Sequence, residues 1–313
     1  MNQLATVLDK SWLEQVCNKP PDEAGRILET LQTKHRPLVS IVLVEEVLAN
    51  WFDAGKNQTI VNQMIQRILK FHPSWIDHPL EWSFKELVLG QQIKDIGLES
   101  ILFSRMHDAL TNPGVATDLR EQMGKRLLEK KERRARRKKQ QEWLQKIVSA
   151  DFLHPLDLAT FVRNGICFLE MSLSNPNRKR VILESCLGQI WKRWHVDTTT
   201  QIEDAFARLD YQLLLKLPFT YSYLLAELLY DFAPITNVGP LHRKRSNPQV
   251  LSGNQINHEE DQEYVTSALH CDRLLTCDAG MHRMADVFQQ AGLWKGACIL
   301  IPPNEVDQLG RYR

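Results

Sequence analysis

The six cysteines, at positions 17, 167, 186, 271, 277 and 298, include no CxxC pair and no repeated spacing. That scatter argues against a zinc site and against a disulfide framework. Long apolar runs are missing too: no stretch reaches 18 consecutive apolar residues, so nothing reads as a transmembrane helix. The opening, MNQLATVLDK, carries neither the basic region nor the apolar run of a secretory signal. Nor is either charge in excess. Lys and Arg number 39 against 38 Asp and Glu, a formal net charge of +1. No global field therefore announces a nucleic-acid partner, and any such partner must be met by a local patch. These absences lead to the expectation of a reduced, cytoplasmic protein with no membrane partner.

What remains is an ordinary globular composition, 43% hydrophobic and 25% charged. Its 313 residues suffice for two domains, or for one domain with a large insertion. Leu4 to Leu8 is a short apolar run that stops at Asp9, and reads as a buried strand with a carboxylate at its C-terminal end. Residues 22–34 read as a helix, after which His35-Arg36-Pro37 is expected to break the chain. Leu38 to Trp51 reads as a brief strand leading into a helix capped near Ser40, and Asn57 to Phe71 as an amphipathic helix.

From about 80 to 235 the pattern is helical, with candidate helices at 83–95, 98–110, 116–148, 155–172, 177–194, 201–215 and 220–231. A polar, partly basic loop covers 234–258. A helix at 259–271, a strand from Arg273 to Thr276 leading to Asp278, a helix at 280–291 and a strand from Ala297 to Ile301 follow. The two ends alternate strand and helix, which implies an α/β domain with a parallel sheet and helices on both faces. The middle does not. Residues 1–80 plus 250–313 therefore read as one domain, interrupted by an all-helical insertion at 81–249.

In open parallel sheets, sites form at the carboxyl ends of strands. Asp9 and Asp278 each follow a strand, Asp261 opens the helix before the second of them, and Glu46 lies on an early helix facing back toward the sheet. Four carboxylates converging on one crevice repel one another unless a cation sits between them. Oxygen donors select hard divalent ions, Mg²⁺ or Mn²⁺, which activate water and stabilise the charge of phosphodiester cleavage. Taken singly, an Asp after a strand is commonly a helix cap or turn residue. The joint pattern is what points to a site.

These blocks resemble the PIN-domain nucleases. VLDKSWL at 7–13 looks like that family's opening strand with its Asp, and SIVLVEEVL at 40–48 like its second motif, where a Ser is followed six residues later by a Glu, here Glu46. DQEYVTSALHCDRLLTCDAGM at 261–281 is similar to its third and fourth motifs, an Asp opening a helix and a Thr-x-Asp closing the next strand. The resemblance covers about half the chain and implies a PIN-like three-layer domain. It further implies a metal-dependent nuclease, acting on RNA more often than DNA, with Asp9, Glu46, Asp261 and Asp278 as catalytic and metal-binding residues. Ser11, Thr276 and Glu260 are candidate supporting groups; Glu260 and Glu259 are also local rivals of Asp261, and Glu45 of Glu46. Lys10 departs from the pattern, standing where the family carries a small hydroxyl residue. It either crowds the cation or contacts a phosphate, and it keeps open a second reading, a PIN-like binding or assembly module without catalysis. A third is a metal-dependent phosphohydrolase acting on nucleotides.

Residues 125–139, KRLLEKKERRARRKK, hold ten Lys or Arg against two Glu. As one helix this is a cationic rod able to neutralise phosphates, with Lys130, Lys131, Arg133, Arg134, Arg136, Arg137, Lys138 and Lys139 as candidate contacts. Arg243, Lys244 and Arg245 form a second candidate contact, and Lys10 a third. Such contacts position a backbone without reading bases. The tryptophans at 143, 191 and 194 read as core, and His270 and His282 as structural residues. The insertion is also a candidate surface for a protein partner or self-association, an arrangement that suits a toxin or defence effector.

Overall fold

The computed structural model describes residues 3–51, 58–70, 74–76, 79–92, 157–193, 199–232, 256–290 and 292–311, with scattered positions between 108 and 146. The chain opens with strand β1 (Leu4–Leu8), helices α1 (Lys10–Cys17) and α2 (Pro21–Lys34), strand β2 (His35–Ser40), helices α3 (Ile41–Trp51) and α4 (Gln58–Lys70), and strand β3 (Ser74–Ile76). Helix α5 (Pro79–Leu89) leads into the helical middle: α6 (Leu158–Leu173), α7 (Pro176–Arg193), α8 (Thr199–Arg208), α9 (Tyr211–Leu214) and α10 (Pro218–Phe232). Helix α11 (Ile256–Ala268), strand β4 (Arg273–Thr276), helix α12 (Ala279–Gln290), strand β5 (Ala297–Leu300) and a 3-10 helix (Pro303–Arg311) close it.

The five strands form one parallel sheet in the order β3-β2-β1-β4-β5. Val7 and Leu8, Leu38 and Val39, and Leu274 and Leu275 are all buried. Neighbouring residues of a strand point to opposite faces, so helices cover both faces of the sheet. Helix α1 contacts α2, α4 and the 3-10 helix, and α2 contacts the 3-10 helix, while α11 contacts α12 and α10. A single apolar cluster runs from Val7, Leu8 and Leu275 through Val265 to Leu225 and Leu229 of α10 and Phe161 of α6. The helical middle therefore shares its core with the sheet. Among the described residues no helix is long and apolar enough to cross a membrane, and all six cysteines are free thiols.

Several local expectations shift. His35-Arg36-Pro37 does end α2, yet β2 runs straight through these residues. Pro37 sits opposite Thr6 of β1, and β3 pairs with β2 at Leu38 to Ser40. β3, three residues long, is too short to leave a periodic signal. The helix expected at 83–95 spans Pro79–Leu89 instead. Pro79 suits its first position, and Gly90, at φ +63°, takes the left-handed turn that ends it. The helix expected at 201–215 is two, because the Asp210 side chain accepts from Leu213 N at 2.7 Å and caps α9 separately. Candidate helix 98–110, apart from Asp108, and most of 116–148 lie outside the described residues, as do residues 234–255 of the loop expected at 234–258, whose last three residues already belong to α11.

Candidate active site

From β1 the chain leaves in one direction to β2 and β3, and in the other to β4 and β5. The carboxyl ends of β1 and β4 therefore flank the point where the winding reverses, where ligands of doubly wound sheets bind. Asp9 follows β1 directly. Its N–H donates to Leu275 O at 3.1 Å, extending the ladder past β1, and its own carbonyl accepts from Leu13 N at 3.2 Å to start α1. One residue thus ends the strand and opens the helix, which fixes where its side chain emerges.

Asp9 is 3% exposed. Its Oδ2 accepts from Ser11 Oγ and, at 2.8 Å, from Thr276 Oγ1 at the end of β4. Each hydroxyl in turn accepts from backbone: Cys277 N donates to Ser11 Oγ at 3.0 Å, and Asp278 N donates to Thr276 Oγ1 at 2.8 Å. Two relays, N–H to O–H to carboxylate, therefore converge on one oxygen, and such chains reinforce each member by polarisation. Burial pushes the Asp9 carboxyl up from 3.8 to about 6, and the nearby charge of Asp261 adds to the rise, against the two hydroxyl bonds that lower it. The Cys277 thiol is pushed up to about 12 by burial and by Asp9, so it is an inert neighbour.

The remaining candidates divide. Asp261, half-buried on α11, lies close enough to act on Asp9 by charge. Asp278 spends Oδ1 on Gly280 N at 2.5 Å and Met281 N at 3.0 Å, capping α12 and leaving one of its two oxygens out of the cap. Glu46, half-buried on α3, accepts at Oε2 from Tyr264 OH at 2.6 Å, whereas Glu45 beside it is buried, 2% exposed. Ser40 Oγ accepts from Leu43 N at 3.3 Å, so the Ser of the second motif is the cap of α3. Ser11 and Thr276, the expected supporting groups, both donate to Asp9. Lys10 is the first, half-buried residue of α1. The Glu260 side chain lies outside the described residues, as do Lys130, Lys131, Arg133, Arg134, Arg136, Arg137, Lys138, Arg243, Lys244, Arg245 and the side chains of Trp143, Trp191 and Trp194; Lys139 is helical and exposed.

Sequence reasoning missed two partners. Tyr264, three residues beyond Asp261 and 1% exposed, was detectable only from that helical spacing. Gln262 donates to Glu227 Oε1 at 2.6 Å, a buried bond between α11 and α10 that no local pattern announces. His270 packs against Phe219, with ring centroids 3.9 Å apart and ring planes tilted by 53°, and burial lowers its pKa to about 4.

The donors around Asp9 are carboxylate and hydroxyl oxygens, the chemistry a hard divalent cation takes. A desolvated carboxylate beside a second one carries two penalties that a cation removes. Among the described residues, no group of three or more His, Cys, Asp or Glu side chains gathers as a ligand cluster. Asp9 and Asp261 are the two carboxylates shown to act on each other, and so the pair that could hold such a cation. Comparison with protein-family models, with curated proteins and with solved structures finds no match to this chain.

Proposed function

We propose that the chain is a metal-dependent nuclease built on a PIN-like three-layer domain, residues 1–80 plus 250–313, with the helical middle at 81–249 as its insertion. One observation carries this reading: Asp9 is buried at the end of β1, at the reversal of the winding, beside Asp261. Asp9 and Asp261 would hold Mg²⁺ or Mn²⁺, and the second oxygen of Asp278 stands at the same strand end. The ion would supply an activated water and charge stabilisation for phosphodiester hydrolysis.

The chain's own groups do the rest. Ser11 and Thr276 fix Asp9 through Oδ2 and oppose its protonation. Protons compete for Asp9 below about pH 6, so cation-dependent activity falls on the acid side. Lys10, at the start of α1, would meet a phosphate, and the basic run at 125–139 with Arg243, Lys244 and Arg245 would supply backbone contacts over a longer stretch. RNA is the favoured substrate on the resemblance.

A second reading has its own support. Glu46 is bonded to Tyr264 and Asp278 is a helix cap. These are the features of a PIN-like module that binds or assembles without cutting. Labelled single-stranded RNA and DNA, incubated with purified protein and Mn²⁺ or with chelator, separate the two. Cleavage that needs Mn²⁺ and disappears in Asp261→Asn supports the nuclease. Nucleic-acid binding without cleavage in any metal selects the module.

A further inference from the structure

Helix α6 turns Phe161, Phe168 and Leu169 into the core and packs against α10. Gly165 permits the close approach, since a Cβ there would stand 2.7 Å from Leu229 Cδ2. That contact fixes which face of α6 points outward. Arg163, Cys167, Glu170 and Met171 follow one another at helical spacing on the opposite side, and all four are exposed. An outer helix face is ordinarily polar, yet Met171 is 50% exposed and the Cys167 thiol lies one turn before it. The neighbouring α9 adds Leu215, also 50% exposed and one turn beyond Tyr211, whose carbonyl accepts from Leu215 N at 3.1 Å. Burial raises the Tyr211 phenol above its ordinary value, a hydrogen bond with Tyr221 lowers it, and the charges of Glu170 and then Cys167 raise it, so the phenol stands beside both. Apolar groups and a thiol thus share one surface, the kind that marks an interaction site.

The charges on this face say what covers it. Arg163 lies four residues before Cys167 and Glu170 three after it, and at about 100° per residue both fall on the same flank of the stripe. Met171 falls on the other flank. When a second α6 is turned end for end about a two-fold axis beside Cys167, each residue meets the one on the same flank at the opposite height. Arg163 of each copy then faces Glu170 of the other, within about 1.5 Å of level. The Arg163 guanidinium spends one Nη on Thr160 Oγ1 at 3.1 Å and has further N–H groups to offer a carboxylate. We infer that α6 is a self-association face, on which two copies of this chain pack antiparallel with Cys167 at the two-fold axis and Arg163 paired to Glu170 in both directions. A face that complements itself in charge selects a second copy over a partner of one sign. The inference is independent of the function proposed above.

Sedimentation velocity of the reduced full chain through the micromolar range tests this, with a melting curve to show that every variant is folded. The wild type is expected to sediment as a dimer. Glu170→Arg sets arginine against arginine at both ends of the contact and is expected to weaken the dimer about 10-fold or more. Adding Arg163→Glu to Glu170→Arg exchanges the signs, restores both pairs and is expected to restore the dimer, a rescue that loss of helix stability would not show. A short bis-maleimide is expected to join two wild-type chains but not two Cys167→Ser chains, because the two-fold axis brings the Cys167 thiols together. A monomeric wild type, a dimer indifferent to Glu170→Arg, an exchange variant that stays monomeric, or cross-linking that survives Cys167→Ser each overturn the inference and leave the proposed function standing.

Discussion

Replacing Asp9 by Asn tests the electrostatics of the site without any substrate. Asn keeps an oxygen for the hydroxyls of Ser11 and Thr276 and removes only the ability to ionise. Asp9 titrates at about 6 in the folded chain against 3.8 for an ordinary Asp, chiefly because it is desolvated. A carboxyl raised on folding favours the native state while it is protonated, so its contribution is present below pH 3.8 and lost as pH rises through about 6. At about 1.4 kcal/mol per pKa unit, the wild type should lose about 2 kcal/mol relative to Asp9→Asn between pH 4 and pH 7.5. Urea denaturation of both proteins across that range, in the presence of chelator, gives the difference directly. The variant is expected to be the more stable at pH 7.5, and Mn²⁺ is expected to close the gap by stabilising the wild type alone. Two stability curves separated by a constant from pH 4 to 7.5 would refute the account of Asp9 as a carboxylate whose pKa burial raises.

Two further substitutions probe the frame around that residue. Thr276→Val keeps shape but deletes the donor to Asp9 and the acceptor of Asp278 N, so it should destabilise by about 1–3 kcal/mol and move Asp9 above 6, seen as an alkaline shift in the carboxyl titration by NMR. Gly296→Ala would set a Cβ 2.5 Å from Asp272 O and 2.6 Å from Cys271 O, and against the indole of Trp294, whose Nε1 donates to Cys271 O at 2.9 Å. Backbone cannot yield cheaply there, so a loss of roughly 3 kcal/mol or more is expected in denaturant melts, and wild-type stability would contradict the packing.

Much of the fold was legible where local chemistry and tertiary context agree. Leu4 to Leu8 ending at Asp9, Ser40 dividing β2 from α3, and the sequence from Asp261 through α11 and β4 to Asp278 all carried their own signals: apolar runs, a cap, a helix period. Where context overrode local pattern the reading failed. Pro37 entered a strand by pairing opposite Thr6 of β1, and β3 itself is three residues defined by its neighbour. Asp210 split one apolar period into two helices by capping the second.

The candidate site divides along the same line. By itself the sequence determined which residues carry carboxylates after strands, because strand ends, caps and turn residues are written in adjacent positions. Only the tertiary structure decided what those carboxylates do. Strand order, which no local pattern encodes, set Asp9 beside Thr276 and within the field of Asp261, and burial then raised its pKa. It likewise turned Ser11 and Thr276 toward Asp9, gave Asp278 a cap to hold, and bonded Glu46 to Tyr264. Those outcomes depend on groups hundreds of residues apart meeting in a space emptied of water, and distance and desolvation exist only once the chain has folded.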